Sequence, residues 1–507
     1  MENTRNPSLF QAFIPILFLI IFLSLNVVIF KKDTLSGSNQ IILLLSASVA
    51  GIIAFRLNKS WAKIRDSIIE SINTAMPSIL ILLMIGALSG TWLISGIVPV
   101  MVYYGIKIIN PAVFLFTALI VCSLVSLATG SSWSTIATIG IALLGVGKAL
   151  GIHEGLIAGA IISGSYFGDK MSPLSDTTNL APAVAGSDLF THVRYMIYTT
   201  GPTMIITMII FLIIGLTSKF HVVETDVENV VTAIEKNFVI NPLLLLVPVL
   251  LIIVIVKKVP ALPALLIGTL LGALAAAIFQ PQIIESLKTE GLNKFQGTYQ
   301  VIIQSMFGES NIQTGNESLN ELFSSGGMAG MLNTVWLILS AMTFGGAMEA
   351  GGLLKRITLS IISFAKSTGS LITSTLVTCI FFNLTASDQY ISILIPGRMF
   401  AKTYRERGLK AEVLSRTLED AGTLTSVLVP WNTCGATQAK ILGVPTLSYL
   451  PYAFFNLINP VVSVIVAYTG YKIRRIVPVN KQAQTVSDQG LLLAETMKTS
   501  KSPDQGS

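Results

Sequence analysis

The chain has 507 residues, of which 52% are hydrophobic and 12% are charged. A soluble domain carries about a quarter charged residues, so this composition excludes an ordinary soluble domain and favours a protein that folds in a lipid bilayer. The net charge of +7 comes from basic residues in short loops beside apolar segments, and no basic stripe or nucleic-acid motif accompanies them. The sequence therefore predicts an all-α polytopic membrane protein whose partners do not include nucleic acid.

Apolar segments of about 20 residues, long enough to span a bilayer, recur along the chain. They cover residues 9 to 30, 39 to 56, 76 to 96, 195 to 217, 240 to 256, 261 to 279, 330 to 350 and 447 to 471. The first is too long for a signal-peptide core, so we interpret it as a retained helix. An amphipathic stretch over 58–73 predicts a helix at the cytoplasmic interface. The polar composition of 476–507 predicts a disordered cytoplasmic tail.

The two halves of the chain resemble each other. Shifting the sequence by 256 residues pairs Thr129 with Thr385 and Ser131 with Ser387, and small or polar matches on one diagonal indicate a repeat. The predicted organisation is a first repeat, an extracytoplasmic linker and a second repeat, over residues 1–218, 219–239 and 240–475.

Basic loops predict the orientation of the spans, because Lys and Arg concentrate on the cytoplasmic side. Threading the chain through that constraint gives each repeat about five transmembrane helices, plus one re-entrant hairpin and one broken helix. An odd number of crossings inverts the second repeat relative to the first. We therefore expect a multi-pass protein of the bacterial inner (cytoplasmic) membrane with both termini in the cytoplasm.

The two stretches predicted to be re-entrant hairpins are residues 111–147 and 371–404. Their centres read TGSSWST and TASDQY, which are rich in hydroxyls and turn-forming residues. Backbone that leaves a helix at membrane depth is tolerated only when it is buried in protein or lines a wet cavity. Hydroxyls and freed carbonyls there are oxygen ligands for a small cation, or donors to the oxygens of an anion.

The predicted broken helices carry unequal chemistry. GSYFGDKMSPLSDTTNLA, residues 164–181, holds acids on both sides of Pro173, which cannot continue a helix. LVPWNTCGAT, residues 428–437, is interrupted in the same way but has no acid. The second repeat instead places Asp388 at the hairpin position that matches Ser132. A carboxylate at this depth must pair, bind a cation or take a proton. The alternative for Asp169 is a local pair with Lys170 in a water-exposed loop.

Convergence of the hairpins and broken helices would surround one site with three acids, Asp169, Asp176 and Asp388. We predict that these carboxylates bind Na⁺ or protons in competition. The further predicted oxygen ligands are Ser131, Ser132, Thr135, Ser172, Thr177, Asn179, Ser387, Asn432 and Thr433.

Other polar residues near these runs have two interpretations. Lys170 and Arg398 are candidate counter-charges or anion anchors. Glu419 and Asp420 could relay protons, or they could pair with Arg416 or Lys410 at the cytoplasmic interface. His192 flanks a span and is interpreted as a solvated loop residue.

These motifs together resemble the NhaC family of Na⁺/H⁺ antiporters. The resemblance is carried by TGSSWSTIATIG, GSYFGDKMSPLSDTTN, SDQY, ILIPGRM and LEDAGTLTSVLVPWNTCGA, and it covers nearly all of the chain before the tail. It implies a secondary active transporter that exchanges Na⁺ for H⁺ by alternating access. On this basis we expect no enzyme activity and no cofactor beyond the transported ions, and the resemblance also suggests a homodimer.

The resemblance leaves the cargo open. Members of the family also exchange organic acids of the malate and lactate type, or carry amino acids, with coupled Na⁺ or protons. A small organic anion is therefore the alternative cargo. A remote alternative from another class is an intramembrane aspartyl protease, because Asp169 follows Gly168, but the sequence lacks the Gly-x-Gly-Asp setting of such sites.

Overall fold

The computed structural model describes residues 6–30, 37–108, 110–218, 224–312, 320 and 323–476, and these residues are almost entirely helical. In chain order the α-helices are α1 Leu9–Phe30, α2 Ser38–Arg56, α3 Trp61–Ile94, α4 Ile97–Ile108, α5 Phe114–Thr129, α6 Ser132–Thr135, α7 Ile141–Ala149, α8 Glu154–Met171, α9 Asp176–Ala185, α10 Leu189–Thr217, α11 Glu224–Asn237, α12 Leu246–Val256, α13 Ala261–Phe279, α14 Pro281–Leu287, α15 Lys294–Phe307, α16 Leu332–Ala350, α17 Leu353–Ser363, α18 Thr368–Thr385, α19 Gln389–Glu406, α20 Ala411–Leu418, α21 Leu424–Ser426, α22 Thr433–Leu442, α23 Thr446–Tyr449 and α24 Phe454–Thr469. Two short strands, β1 Ser310–Asn311 and β2 Ser324–Ser325, pair antiparallel.

The helices confirm a multi-pass membrane protein. Among the described residues, nine helices are long and apolar enough to cross a membrane, or up to eleven if each of two bent pairs counts as one span. Large apolar side chains stay exposed along α1, α10 and α13, as expected for helices that face lipid. Residues 219–223 of the predicted linker and residues 477–507 of the predicted tail lie outside the described residues.

Two predicted elements differ from the structure. The amphipathic stretch over 58–73 is not a separate interfacial helix, because α3 starts at Trp61 and runs without interruption for 34 residues. A helix of that length is about 51 Å long, so it extends well beyond a hydrocarbon core of about 30 Å. The predicted span 447–471 is bent by 54° between Thr446–Tyr452 and Phe454–Thr469. Pro451 lies at this bend, where its missing N–H removes a helical hydrogen bond.

Four interruptions of the helices gather the polar residues. We name them the first tip (129–135, from the end of α5 through α6), the first break (172–175, between α8 and α9), the second tip (385–389, from the last residue of α18 to the first of α19) and the second break (427–432, between α21 and α22). The same order of tip and break thus occurs in each half of the chain. The arms of the first tip, Pro111–Thr129 and Ser132–Ala149, are each long enough to cross a membrane. Their re-entrant insertion and the inverted orientation of the two halves therefore stay predictions.

Candidate functional site

A glycine and a serine shape the first tip. Gly130 has a φ of 70°, a left-handed conformation that ends α5 and that glycine adopts without strain. Ser131 then caps α6, and its Oγ accepts a hydrogen bond from the Ser134 N–H at 3.2 Å. A Cβ at Gly130 would lie 2.6 Å from the Cβ of Leu174, so the first tip packs directly on the first break.

The first break is closed by its own polar side chains. Ser175 caps α9, and Pro173 lies in the turn between α8 and α9, where the helix is interrupted. The Asn179 side-chain amide donates hydrogen bonds to the Pro173 carbonyl at 2.9 Å and to the Ser175 carbonyl at 2.7 Å. Asn179 therefore holds the break in shape from its exposed side.

Two glycines bring Asp169 to the first tip. A Cβ at Gly164 would lie 2.3 Å from the Leu119 carbonyl oxygen, and one at Gly168 would lie 2.4 Å from the Ser123 carbonyl oxygen. Small residues four positions apart thus let α8 approach the backbone of α5. The next residue, Asp169, is buried, and its Oδ2 accepts hydrogen bonds from the Ser132 N–H at 3.1 Å and the Ser132 hydroxyl at 2.6 Å.

Asp169 and Lys170 do not form the local pair that the sequence left open. The Lys170 side chain is fully buried, and its Nζ lies 2.5 Å from Oδ1 of Asp420 on the second broken helix. Since adjacent residues on a helix point in different directions, Asp169 faces the first tip while Lys170 faces the other half of the chain.

The second tip and the second break meet at Asp388. Asp388 caps α19 through a hydrogen bond from the Ile391 N–H to Oδ1 at 3.0 Å, and the Thr433 hydroxyl lies 3.4 Å from Oδ2. The Thr433 N–H also donates to the Ser387 carbonyl at 2.9 Å, which joins the two interruptions. Asn432 caps α22, and its amide donates to the carbonyl and the side-chain oxygen of Asn383.

Tyr390 lies among the three predicted acids. Asp169 and Asp176 line the same cavity as Tyr390, and Asp388 lies two residues before Tyr390, 3.4 Å from the hydroxyl of the wall residue Thr433. Tyr390 occupies the first turn of α19, immediately after the second tip. The structure thus brings acids from both halves of the chain around one side chain.

A cavity of about 420 Å³ lies between the tips and breaks. Its wall contains the first turns of four helices, α6, α9, α19 and α22. The wall residues from these turns and their caps are Ser131, Trp133, Ser134, Ser175, Asp176, Thr177, Gln389, Tyr390, Thr433 and Cys434. Asp169 and Lys258 also line the wall. The N-terminal end of a helix carries partial positive charge, so these four ends counterbalance the acids.

The predicted ligands divide into three groups. Those on the cavity wall are Ser131, Asp169, Asp176, Thr177 and Thr433. Those buried behind the wall are Ser132, Thr135, Ser172, Ser387, Asp388 and Asn432. Asn179 and the proposed anion anchor Arg398 are exposed and lie away from the wall. Among the described residues, no cluster of three or more His, Cys, Asp or Glu is arranged to hold a resident metal ion.

A buried ionic cluster lies behind the cavity. Besides Lys170, Asp420 accepts hydrogen bonds from the Thr199 hydroxyl at 3.0 Å and the Asn459 amide at 2.8 Å. The Arg416 Nε lies 3.7 Å from the other carboxylate oxygen, Oδ2, and its guanidinium stacks over Tyr195 at 4.6 Å. Arg416 is fully buried, whereas Lys410 is exposed, so Asp420 pairs inside the protein and not at an interface.

Glu419 precedes Asp420 but has a different environment. Both residues belong to a π-helical turn, Glu419–Thr423, and both are fully buried. Neither carboxylate oxygen of Glu419 has a hydrogen-bond partner among the described residues. π-Helical turns occur frequently at functional sites.

Sequence reasoning missed several of these residues. His192 is not a solvated loop residue, because it is fully buried and its Nδ1 lies 2.8 Å from the Ser415 hydroxyl. Its place inside the first turn of α10, capped by Asp188, was the available signal. Asn456 and Asn459 lie in an otherwise apolar stretch of α24, which is itself a sign of buried polar contacts.

Comparison with known proteins identifies the family. The model of the Na⁺/H⁺ antiporter family matches residues 164–471. The NhaC Na⁺/H⁺ antiporter of Alkalihalophilus pseudofirmus is 36% identical over 452 residues, which are 89% of this chain and 95% of that protein. This chain belongs to the NhaC family of Na⁺/H⁺ antiporters.

Other relatives of this NhaC family member are named for different transport functions. The malate-2H⁺/Na⁺-lactate antiporter of Bacillus subtilis is 37% identical over 472 residues, 93% of this chain and 96% of that protein. The arginine/ornithine antiporter ArcD of Halobacterium salinarum is 34% identical over 475 residues, 93% of this chain and 94% of that protein. Membership of an antiporter family identifies a transporter and not an enzyme, so the aspartyl protease alternative is rejected.

Proposed function

We propose that this NhaC family member exchanges Na⁺ for H⁺ across the bacterial cell membrane by alternating access, with the cavity as its cation site. The observation that carries the proposal is that Asp169 and Asp176 of the first half line one cavity with Tyr390 of the second half, and that Asp388 lies behind the wall residue Thr433. Carboxylate, hydroxyl and carbonyl oxygens are the ligands that hard cations take. Asp169, held by Ser132, is the carboxylate on the wall that we assign as the principal Na⁺ ligand.

The proposal includes the arrangement expected from the sequence. Two inverted halves, each contributing a tip and a break, would expose the cavity to one side of the membrane and then to the other. We place both termini in the cytoplasm and expect a homodimer. Transport assays on oriented vesicles and cross-linking of the purified protein address these parts separately.

The test of the function is Na⁺-driven proton movement in proteoliposomes. Asp169→Asn and Asp388→Asn should each reduce exchange more than about tenfold, because each loses a charged ligand worth roughly 1.5–3 kcal/mol. Asp66→Asn is the matched control, since Asp66 is 63% exposed and pairs with Arg65 on α3. Full exchange in the Asp169 variant would disprove the assignment of the cation site.

The shape of the cavity favours a second candidate, exchange of an organic anion or amino acid. A volume of about 420 Å³ is far more than the roughly 30 Å³ of one water molecule, and four helix N-termini at the wall suit a carboxylate. The names of the malate/lactate and arginine/ornithine relatives fit such a cargo. Lys258 on the wall is the anion anchor on this proposal, since Lys170 is paired with Asp420 and Arg398 lies elsewhere. Na⁺/H⁺ exchange in liposomes that contain no organic solute would decide for the first candidate.

A further inference from the structure

Three segments of the second half form a strongly basic surface. They are residues 365–368 at the start of α18, 402–412 at the end of α19 and the start of α20, and 472–476 after α24. Together they contain eight basic residues and two acidic ones. The basic residues are Lys366, Lys402, Arg405, Arg407, Lys410, Lys472, Arg474 and Arg475. We name these three segments the basic surface.

Hydrogen bonds join the three segments. The Arg407 guanidinium donates a hydrogen bond to the Lys366 carbonyl at 2.7 Å, which ties the second segment to the first. The Ile476 N–H donates to the Gly408 carbonyl at 2.7 Å, which ties the third segment to the second. The basic residues therefore belong to one continuous patch and not to three separate loops.

Most of the positive charge on the basic surface has no acidic partner. Both acids are already paired, since Glu406 lies 3.7 Å from Lys402 and Glu412 lies 3.2 Å from Arg474. Within the part of the chain that the structure describes, the other basic residues have no carboxylate within 4 Å, and these are Lys366, Arg405, Arg407, Lys410, Lys472 and Arg475. All of them except the partly buried Arg407 are exposed. Such an excess of charge attracts anions.

Three of the unpaired cations converge on the start of α18. Besides its bond to the Lys366 carbonyl, the Arg407 guanidinium donates a hydrogen bond to the Ala365 carbonyl. The Arg475 guanidinium donates to the Thr368 hydroxyl at 3.4 Å. Since Lys366 belongs to the same turn, the cationic groups of three segments lie around four consecutive residues. An anion at this turn could therefore contact more than one of them.

The start of α18 also lies where the protein meets lipid. α18 is long and apolar enough to cross a membrane, and α24 forms the longer arm of a bent spanning pair. The ring of Tyr468, near the end of α24, packs on Gly369 in the first turn of α18. Tyr468 is 63% exposed and Phe364 is 72% exposed. Exposed tyrosines beside basic residues are typical of the level of the lipid headgroups.

These two features together fit an anionic phospholipid. Its phosphate accepts hydrogen bonds from lysine and arginine, and its acyl chains pack on apolar helix faces. Such faces continue from the basic surface along both helices, where Ile465 of α24 and Val377 of α18 are exposed. Free phosphate would contact the cations but leave the aromatic and apolar side chains without a partner. Clusters of about four to eight basic residues beside a membrane helix are typical of sites for anionic lipids.

We propose that the basic surface binds the headgroup of an anionic phospholipid, with Lys366, Arg407 and Arg475 contacting the phosphate and Tyr468 packing beside it. The bound lipid would join the ends of α18, α19, α20 and α24, and so stabilise the part of the second half that carries the second tip. This inference goes beyond the proposed function and does not depend on it, because lipid binding is measured without transport.

The experiment titrates the purified full chain in detergent with phosphatidylglycerol and follows the melting temperature. A ligand that binds the folded protein raises its melting temperature, so the rise reports the half-saturating lipid concentration. We expect a rise with phosphatidylglycerol, and none with the zwitterionic phosphatidylcholine or with inorganic phosphate. The double variant Lys366→Gln/Arg475→Gln should raise the half-saturating concentration about 25-fold, since each basic residue near an anionic lipid contributes a factor of about five.

Lys355→Gln/Arg356→Gln is the matched control. It also removes one lysine and one arginine, both exposed, but from the opposite end of α17. The control should stay within about twofold of the wild type. Equal weakening in both double variants would overturn the proposal, because it would show attraction to the overall charge of the protein and not to the basic surface.

Other outcomes are equally decisive. An equal rise with phosphatidylcholine would show a general effect of lipid, and a rise with inorganic phosphate would show a site for free anions; either result would overturn the choice of an anionic lipid. If the double variant does not fold, Lys366→Gln alone should weaken binding about fivefold. Unchanged binding in that variant would also overturn the proposal. Failure of the proposed function would appear separately, as absent Na⁺-driven proton movement in the wild type.

Discussion

Replacement of Gly168 by alanine tests how the cation site is positioned. The added Cβ would lie 2.4 Å from the Ser123 carbonyl oxygen and 2.5 Å from the Leu127 backbone nitrogen, where ordinary contacts begin at 3.4 Å. Since backbone atoms cannot rotate away, α5 must retreat from α8 by about 1 Å. Overpacking of this kind costs about 1–3 kcal/mol. Loss of the 2.6 Å hydrogen bond from the Ser126 hydroxyl to the Ser165 carbonyl adds about 1 kcal/mol.

The same displacement reaches the cation site. The Ser132 hydroxyl follows α5 in the chain and lies 2.6 Å from Asp169 Oδ2. An increase of about 1 Å in this distance takes the Ser132 hydroxyl and Asp169 Oδ2 beyond hydrogen-bonding distance. We therefore expect Gly168→Ala to lower both the melting temperature in detergent and the rate of Na⁺-driven proton movement.

Gly51→Ala is the matched control for this variant. Gly51 also lies inside a helix, α2, but a Cβ there meets nothing within 4 Å. The control should be stabilised slightly, by about 0.5–1 kcal/mol, because alanine favours the helix. Equal melting temperatures and exchange rates for the two variants would refute the argument that close approach of α8 and α5 positions Asp169.

Three further variants test other contacts. Lys170→Met and Asp420→Asn should each destabilise the protein by about 3–5 kcal/mol, and the double variant by less than the sum, as a double-mutant cycle of unfolding measures. The Thr191 backbone N–H lowers the pKa of Asp188, so Asp188→Ala should reduce the melting temperature at pH 7, and the difference from wild type should vanish as the pH falls through that lowered pKa, below 3.8. Lys258→Gln should leave Na⁺/H⁺ exchange without organic solute within about twofold of wild type, but weaken binding of an organic carboxylate, as uptake assays would show.

Local chemistry made much of the fold and site predictable. Apolar segments of spanning length located most of the membrane helices, and Pro173 and Pro430 marked helices that cannot continue. Asp169 and Asp388 were each predicted to need a partner because they are carboxylates inside a membrane protein, and both are buried, whereas Asp176 is exposed. Each of these inferences depends on the residue type and its immediate neighbours in the sequence.

Contacts between distant segments could not be predicted in the same way. Lys170 and Asp420 are 250 residues apart, and the sequence offered nearer partners for each of them. Glu419 and Asp420 are neighbours of the same chemical type, yet Oδ1 of Asp420 accepts hydrogen bonds from three side chains, whereas neither oxygen of Glu419 has a partner among the described residues. The continuity of α3 through the amphipathic stretch was likewise decided by packing, which can override a local signal.

The close contact of α8 with α5 has a mechanical consequence. Gly164 and Gly168 leave no room between the two backbones, and the Ser126 hydroxyl ties α5 to the Ser165 carbonyl. A sliding motion between α5 and α8 would have to break these backbone contacts and this hydrogen bond before any transported ion moved. The first tip and the first broken helix should therefore move as one rigid body. An ion bound at Asp169 would move with that body and would not pass from one part of it to another.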